Sequence, residues 1–413
     1  MKELASEASR SIESFERVLP SLVIGTNNVL FHFGSDLADC DNGQFLSSIL
    51  QEYRQSTGSI SDLFLGGYLR KLFDLDREKW NSTLDEILSD KVLRPMVCLI
   101  LRNSGATDEI VLRVLEKFDV GLLDINCLID FGYSRYLATL SEPVFLAFVE
   151  RLIESGQVSY AVALFRVVYC DKQNSRKLPE HETMTTLRAF ADNDTREYDY
   201  QWGEVAKAFV EQFPKRKIEL FETVLSGVES RESHSYPSDY SLQVIYPIIK
   251  SAPKKCWQVI SARIDAAEGL KRYFLIHWLA PGMSFGDAVG TGPLLLFPMD
   301  TVFDWVDQDP ETRAYELVRA VPKSLARDEV GNWARELLNR YGNQEDVRRG
   351  LLSHFWSGGW SGNLSDRYRQ LRETARGWLA EETSLRIREW LEEFIDWLSR
   401  DIERAEIEEE REY

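Results

Sequence analysis

The sequence predicts an all-α protein, an elongated α-solenoid of stacked helix pairs, on three observations. Apolar residues recur every three or four positions through nearly the whole chain, which is the period of a helix with one buried face. Alternating runs rich in valine and threonine, which half-buried strands require, are almost missing. The helical stretches fall into pairs joined by short turns, and one such pair cannot bury its apolar face without a stacked neighbour.

From the N-terminus, Phe45, Ile49 and Tyr53 share a helical face, followed by Leu63, Leu65, Tyr68, Leu69, Leu72 and Phe73 and then by Leu84, Ile87 and Leu88. Thr107-Asp108 is a capping signal for a helix carrying Ile110, Val111, Val114, Leu115 and Phe118. Phe145, Phe148, Val149, Leu152 and Ile153 lead through Gly156 to Tyr160 and Phe165, a helix-glycine-helix unit like a tetratricopeptide (TPR) pair. Val205 to Phe213, Ile218 to Leu225, Tyr240 to Ile249 and Trp257 to Ile264 continue the series. Asp171 to Pro179, Gly227 to Asp239 and Ala280 to Pro293 read as loops.

The last third, from about Leu294, is the most informative stretch and holds seven of the eleven tryptophans. Met299, Phe303 and Trp305-Val306 form an apolar face, and Asp309-Pro310 starts the next helix as N-cap acid and first-turn proline. Tyr315, Val318 and Val321 follow, and Pro322 ends that helix. Trp333, Leu337, Leu338 and Tyr341 precede Gly342-Asn343, which reads as a left-handed C-terminal turn before the return helix of Val347, Leu351, Leu352 and Phe355. After the glycine-rich break at Ser357-Gly358-Gly359-Trp360-Ser361-Gly362 come Leu364, Tyr368, Leu371, Ala375 and Trp378, then Leu385, Trp390, Phe394, Ile395, Trp397 and Leu398. The spacing of these three pairs, roughly 35 to 45 residues, is that of HEAT-like or TPR-like repeats. The expected organisation is an N-terminal helical region over 1–170, middle helical repeats over 171–280, and HEAT-like repeats with an acidic capping helix over 281–413.

Several of these segments together, namely Phe303-Asp304-Trp305-Val306-Asp307, Glu336-Leu337-Leu338, Arg340-Tyr341-Gly342, the Trp356 to Gly362 loop and the acidic-basic run from Ile402 to Glu412, form a pattern. It resembles the C-terminal helical-repeat region of large bacterial STAND/NACHT-type conflict and phage-defence proteins. The resemblance covers about 120 residues and implies a sensing or scaffolding surface. The chain departs from that family in having no nucleotide-binding module before the array, so the expectation is either a free-standing repeat protein or a piece of something larger.

A net charge of -18 argues against nonspecific binding to nucleic acid or an anionic membrane. Lys215-Arg216-Lys217 and Lys254-Lys255 read as solvated helix ends. The five cysteines are scattered and odd in number, and Cys98 lies in the apolar run Met96 to Ile100, so the expectation is reduced core thiols and a cytoplasmic home. No segment is long and apolar enough to span a bilayer.

Catalytic signals are sparse, and no cofactor, metal or catalytic residue is assigned. None of the five histidines has a second histidine or a cysteine at metal-ligand spacing, and His277 reads as a hydrogen-bonded core residue. The glycines between Ala280 and Pro293 are followed by no lysine and hydroxyl, so they do not read as a phosphate loop. The terminal Glu403 to Glu412 helix reads as a polar cap closing the array. The function expected is a non-enzymatic protein-binding sensor, adaptor or scaffold whose partner is a defence NTPase, an effector or a phage protein. Trp356, Trp360, Tyr368, Arg348 and Arg349 are the candidate interaction residues, because tryptophan, tyrosine and arginine dominate binding energy at interfaces. The alternative is an effector or enzyme subunit with a site in the first 170 residues.

Overall fold

A computed structural model describes the chain except residues 57–59, 172–175, 194–196, 231–238, 281–291, 359–360 and 413. The described residues form 23 α-helices and no strand, and the protein is 79% helical with mostly sequential helix packing. The all-α expectation is met. Two compact units are present, Met1–Phe190 with Tyr200–Gln212, and Ala191–Asp199 with Phe213–Tyr413.

The first unit opens with α1 (Lys2–Ala8), α2 (Ile12–Ile24), α3 (Val29–Asp41), α4 (Leu46–Gln55), α5 (Leu63–Leu75) and α6 (Arg77–Ser89). It continues with α7 (Val97–Ser104), α8 (Asp108–Asp119), α9 (Ile125–Gly132), α10 (Glu142–Glu154), α11 (Val158–Phe165), α12 (Glu180–Ala191) and α13 (Asp199–Gln212). Many helices touch the next but one: α1 packs on α3, α3 on α5, α5 on α7 and α7 on α9, while α6 packs on α8 and α8 on α10. The α3–α5 contact is the closest, because a Cβ on Gly34 would overlap the Phe64 carbonyl and one on Gly67 the Phe31 carbonyl. Asp41, buried at the end of α3, accepts from the N–H groups of Gly43 and Phe45 at 2.9 and 2.8 Å and from the Tyr68 hydroxyl at 2.5 Å. Thr107 caps α8 as expected, its side chain accepting from the Ile110 N–H. Gly156, at φ +76°, makes the expected turn from α10 to α11.

The second unit contains α14 (Lys217–Ser230), α15 (Asp239–Ser251), α16 (Pro253–Ala266), α17 (Gly269–Leu279), α18 (Met299–Val306) and α19 (Pro310–Leu317). It ends with α20 (Gly331–Tyr341), α21 (Glu345–Trp356), α22 (Leu364–Glu381) and α23 (Leu385–Glu412). Asp309 caps α19 through the Thr312 N–H, as its position before Pro310 predicts. Trp257 on α16 meets Phe297 and Trp305 edge-on at 5.2 and 5.6 Å. The Trp305 indole N–H donates to Asp265, and Arg313 lies over the same ring while pairing with Asp265. α22 and α23 form a long hairpin joined by Arg369–Glu406 and by Ser365, which bonds both oxygens of Glu409.

Three local expectations are corrected. Gly342 has φ -65° and continues the right-handed conformation, so no left-handed turn is present there or at Asn343. Gly227 to Ser230 belong to α14 instead of a loop, since the missing Cβ lets α14 approach the Ala191 carbonyl. Cys98 and Cys127 are joined in a disulfide, with Cα atoms 5.3 Å apart, because α7 packs on α9 and brings two apolar runs 29 residues apart into register. Only Cys40, Cys170 and Cys256 are free, and the cytoplasmic expectation loses the support of a fully reduced set. No described helix is long and apolar enough to cross a membrane.

Candidate interaction surface

The C-terminal end of α21 gathers most of the chemistry that distinguishes this chain. A helix leaves its last carbonyls without intrahelical partners, and cations are favoured beside them. Here two cations arrive from elsewhere in the second unit. Lys323 Nζ donates to the Ser357 carbonyl at 2.5 Å and to its hydroxyl at 2.9 Å. Arg367, on α22, donates from Nη2 to the Trp356 carbonyl at 2.8 Å and from Nη1 to the Gly358 carbonyl. Gly358 has φ +147°, and a Cβ on it would stand 3.1 Å from Arg367 Nη2. A glycine is therefore required where the guanidinium closes on the backbone.

Beneath this clamp, His354 bonds the Val321 carbonyl through Nε2 at 2.8 Å. Burial pushes its pKa down to about 4, and the charges of Lys323 and His277 act in the same direction, so the imidazole is neutral at pH 7. Lys323 is exposed as a residue, but crowding at its ammonium and the neighbouring Arg367 hold its pKa below the usual lysine range.

An aromatic run connects this end of α21 to the core. Phe355 packs edge-on against the fully buried Trp390 at 5.3 Å, Trp390 stacks on Phe394, and Phe394 on Trp397. Trp397 meets Trp356 at 5.6 Å with the rings at 81°. Trp356 also stacks on Tyr368 at 6.3 Å and remains 38% exposed. The run thus ends in a tryptophan that is held from below and open above.

The sequence-predicted residues occupy different positions around it. Trp356 and Tyr368 are brought together, but Tyr368 is only 4% exposed and its ring supports Trp356 from below. Arg349, seven residues before Trp356 and hence on a similar face of α21, is exposed and pairs with Glu345 at 2.5 Å. Arg348 turns to α23, where it pairs with Glu393 at 2.5 Å while its carbonyl accepts from the Trp390 indole. Trp360 lies outside the described residues. Sequence reading missed Lys323, Arg367 and the structural part of His354. Lys323 sits in a short segment without helical period, 34 residues from the carbonyl it holds, and nothing local marks it.

Lys323 and Ser357 have the residue types of a serine-lysine pair, yet the hydroxyl donates to the His354 carbonyl at 2.8 Å and the ammonium is spent on the Ser357 oxygens. A base needs a free lone pair facing the proton it removes, which this arrangement does not provide. No cluster of three or more metal-binding side chains occurs among the described residues. A nearby cavity of about 190 Å³ is lined by Leu325, Arg327, Arg335, Trp378 and Glu381, with Arg335 already committed to Glu382. No family model, curated protein or solved structure matches this chain.

Proposed function

We propose that this protein is a non-enzymatic adaptor or sensor that holds a protein partner through the surface around Trp356. One observation carries the reading. A half-exposed tryptophan ends an aromatic run, is stacked on a buried tyrosine, and begins a stretch of backbone pinned by Lys323 and Arg367. Such a ring loses little conformational entropy on binding, and tryptophan with neighbouring arginine is the composition that dominates interface energetics.

The next-but-one packing in the first unit, and α14 on α16 and α16 on α18 in the second, support stacked helix pairs of the HEAT or TPR kind as the scaffold. The resemblance to the repeat regions of STAND/NACHT-type proteins favours a partner in bacterial defence, as an NTPase, an effector or a phage protein. The enzyme alternative finds its best foothold near Asp130, whose pKa is raised by burial close to Arg102 and Asp62. Asp62 is itself bonded to Asn103. A single carboxyl with a raised pKa is weaker support than the Trp356 surface. Hydrolase substrates offered to the purified chain test the choice. Turnover abolished by Ser357→Ala or Asp130→Asn, with the fold intact, would replace the adaptor reading.

A further inference from the structure

We propose that the cationic end of α14, α15 and α16 docks the acidic end of α23 from a second copy of this chain. The two short basic clusters, separate in sequence, are brought together by the fold. α14 begins at Lys217, α15 ends at Ser251 and α16 begins at Pro253. Lys217 Nζ donates to Ser251 Oγ at 2.9 Å, and its charge acts on Cys256 in the first turn of α16, so these three termini share one end of the bundle. Lys215, Lys250, Lys254 and Lys255 are exposed there, and none forms an ion pair with another described residue. In a chain of net charge -18, four unpaired lysines at one place are the feature that a surface shaped only by solubility would not require.

A groove of about 600 Å³ adjoins the lysines between α14 and α16. Ile218, Val259 and Ala262 line it together with Lys255, Gln258, Glu222 and Arg263, the last of which is paired with Glu229. Positions 255, 258, 259 and 262 repeat at three and four residues, so they form one stripe along α16. The site is therefore a short apolar strip bordered mainly by cations, a chemistry that suits a helix with an exposed apolar residue among acids.

α23 supplies that pattern. On its last turns Ile402 and Ala405 are buried, whereas Ile407 is 51% exposed, with Glu403, Glu408 and Glu410 exposed around it together with Arg404, which pairs with Asp401. Glu406 and Glu409 are held by Arg369 and Ser365 on α22, so the helix stays in its own hairpin while its outer face is free to meet another copy. Ile407 enters the apolar groove and the three glutamates face Lys254 and Lys255. A nucleic acid is the weaker occupant. The rings that adjoin the lysines, Phe221 and Trp257, are buried and offer no stacking platform, Tyr240 being exposed only at the opposite end of α15.

Sedimentation velocity on the full chain tests this across a concentration series, with the variants Lys254→Glu/Lys255→Glu, Glu408→Lys/Glu410→Lys and the four combined. All four positions are exposed, and circular dichroism confirms that each variant is folded. The expected result is a mass that rises with concentration in the original chain, association weakened roughly tenfold by either charge reversal, and substantial recovery when the two are combined. A chain that remains monomeric up to its solubility limit overturns the proposal. So does association untouched by the reversals, or a combined variant no better than its parents. Binding of single-stranded DNA that is lost with Lys254→Glu/Lys255→Glu, in a chain that does not self-associate, assigns the patch to nucleic acid instead.

Discussion

Glu382 shows how single residues tie this protein together. Its side chain is fully buried in the turn between α22 and α23. Burial alone would raise its pKa, yet two hydrogen bonds from Arg335 and the N–H groups of Thr383 and Ser384, at 2.8 and 2.7 Å, outweigh burial and lower it. Removing one member of such a pair strands the other charge, so Glu382→Ala is expected to cost about 3 to 5 kcal/mol in urea unfolding. Arg335→Met with Glu382→Leu should recover most of it, and a single variant as stable as the parent would contradict this role. His354 gives a pH prediction. Its folded pKa of about 4 lies below the ordinary value, so the unfolded chain binds more protons between about pH 6.5 and 4. Stability is then full above that window and falls as pH drops through it, by on the order of 3 kcal/mol. His354→Gln should flatten this part of the profile; an unchanged slope would show that other groups set it. Neither residue could be found from sequence. Arg335 is 47 positions from Glu382, and an acid just after a helix looks the same whether it is solvated or buried.

At the scale of elements, the sequence revealed far more. Helical period placed the buried faces of α8, α10 and α20 and part of that of α23, where Trp390, Phe394 and Leu398 are buried but Leu385 is 70% exposed, and capping residues marked the starts of α8 and α19, because both signals are local. Period does not say which helix lies opposite, and that is why the Cys98–Cys127 link and the Lys323–Ser357 clamp were not legible. Gly67 illustrates the same limit. In sequence it is a helix-weakening residue, whereas in the fold it lets α5 lie against the Phe31 backbone. Gly67→Ala gains helix propensity and loses that approach, and because backbone cannot move aside cheaply the net effect expected is destabilisation by about 1 to 3 kcal/mol. A thermal midpoint equal to or above the parent's would mean that α3 and α5 are not so closely apposed. Of the candidate interaction residues, Trp356 and Arg349 were legible as exposed binding types, but the burial of Tyr368 and the turn of Arg348 toward Glu393 depend on α22 and α23 and were not.

At the scale of the molecule, the expectation of an all-helical chain rests on the two cheapest observations, period and the scarcity of alternating runs. Far-ultraviolet circular dichroism should report a spectrum dominated by helix, as 79% helical content requires, and a strong strand component would refute the fold. The functional claim is narrower: a helical scaffold presents the supported ring of Trp356 to one protein partner. Trp356→Ala removes the exposed ring and its contacts with Tyr368 and Trp397, which together are worth on the order of 1 to 3 kcal/mol, so the variant is expected to remain folded. The direct test is quantitative affinity capture from the native host with and without phage, using the full chain and folded Trp356→Ala as paired baits. The account predicts one host or phage protein retained in near-stoichiometric amount by the original chain and depleted by the variant. No specifically retained protein, or equal retention by both baits, would contradict it.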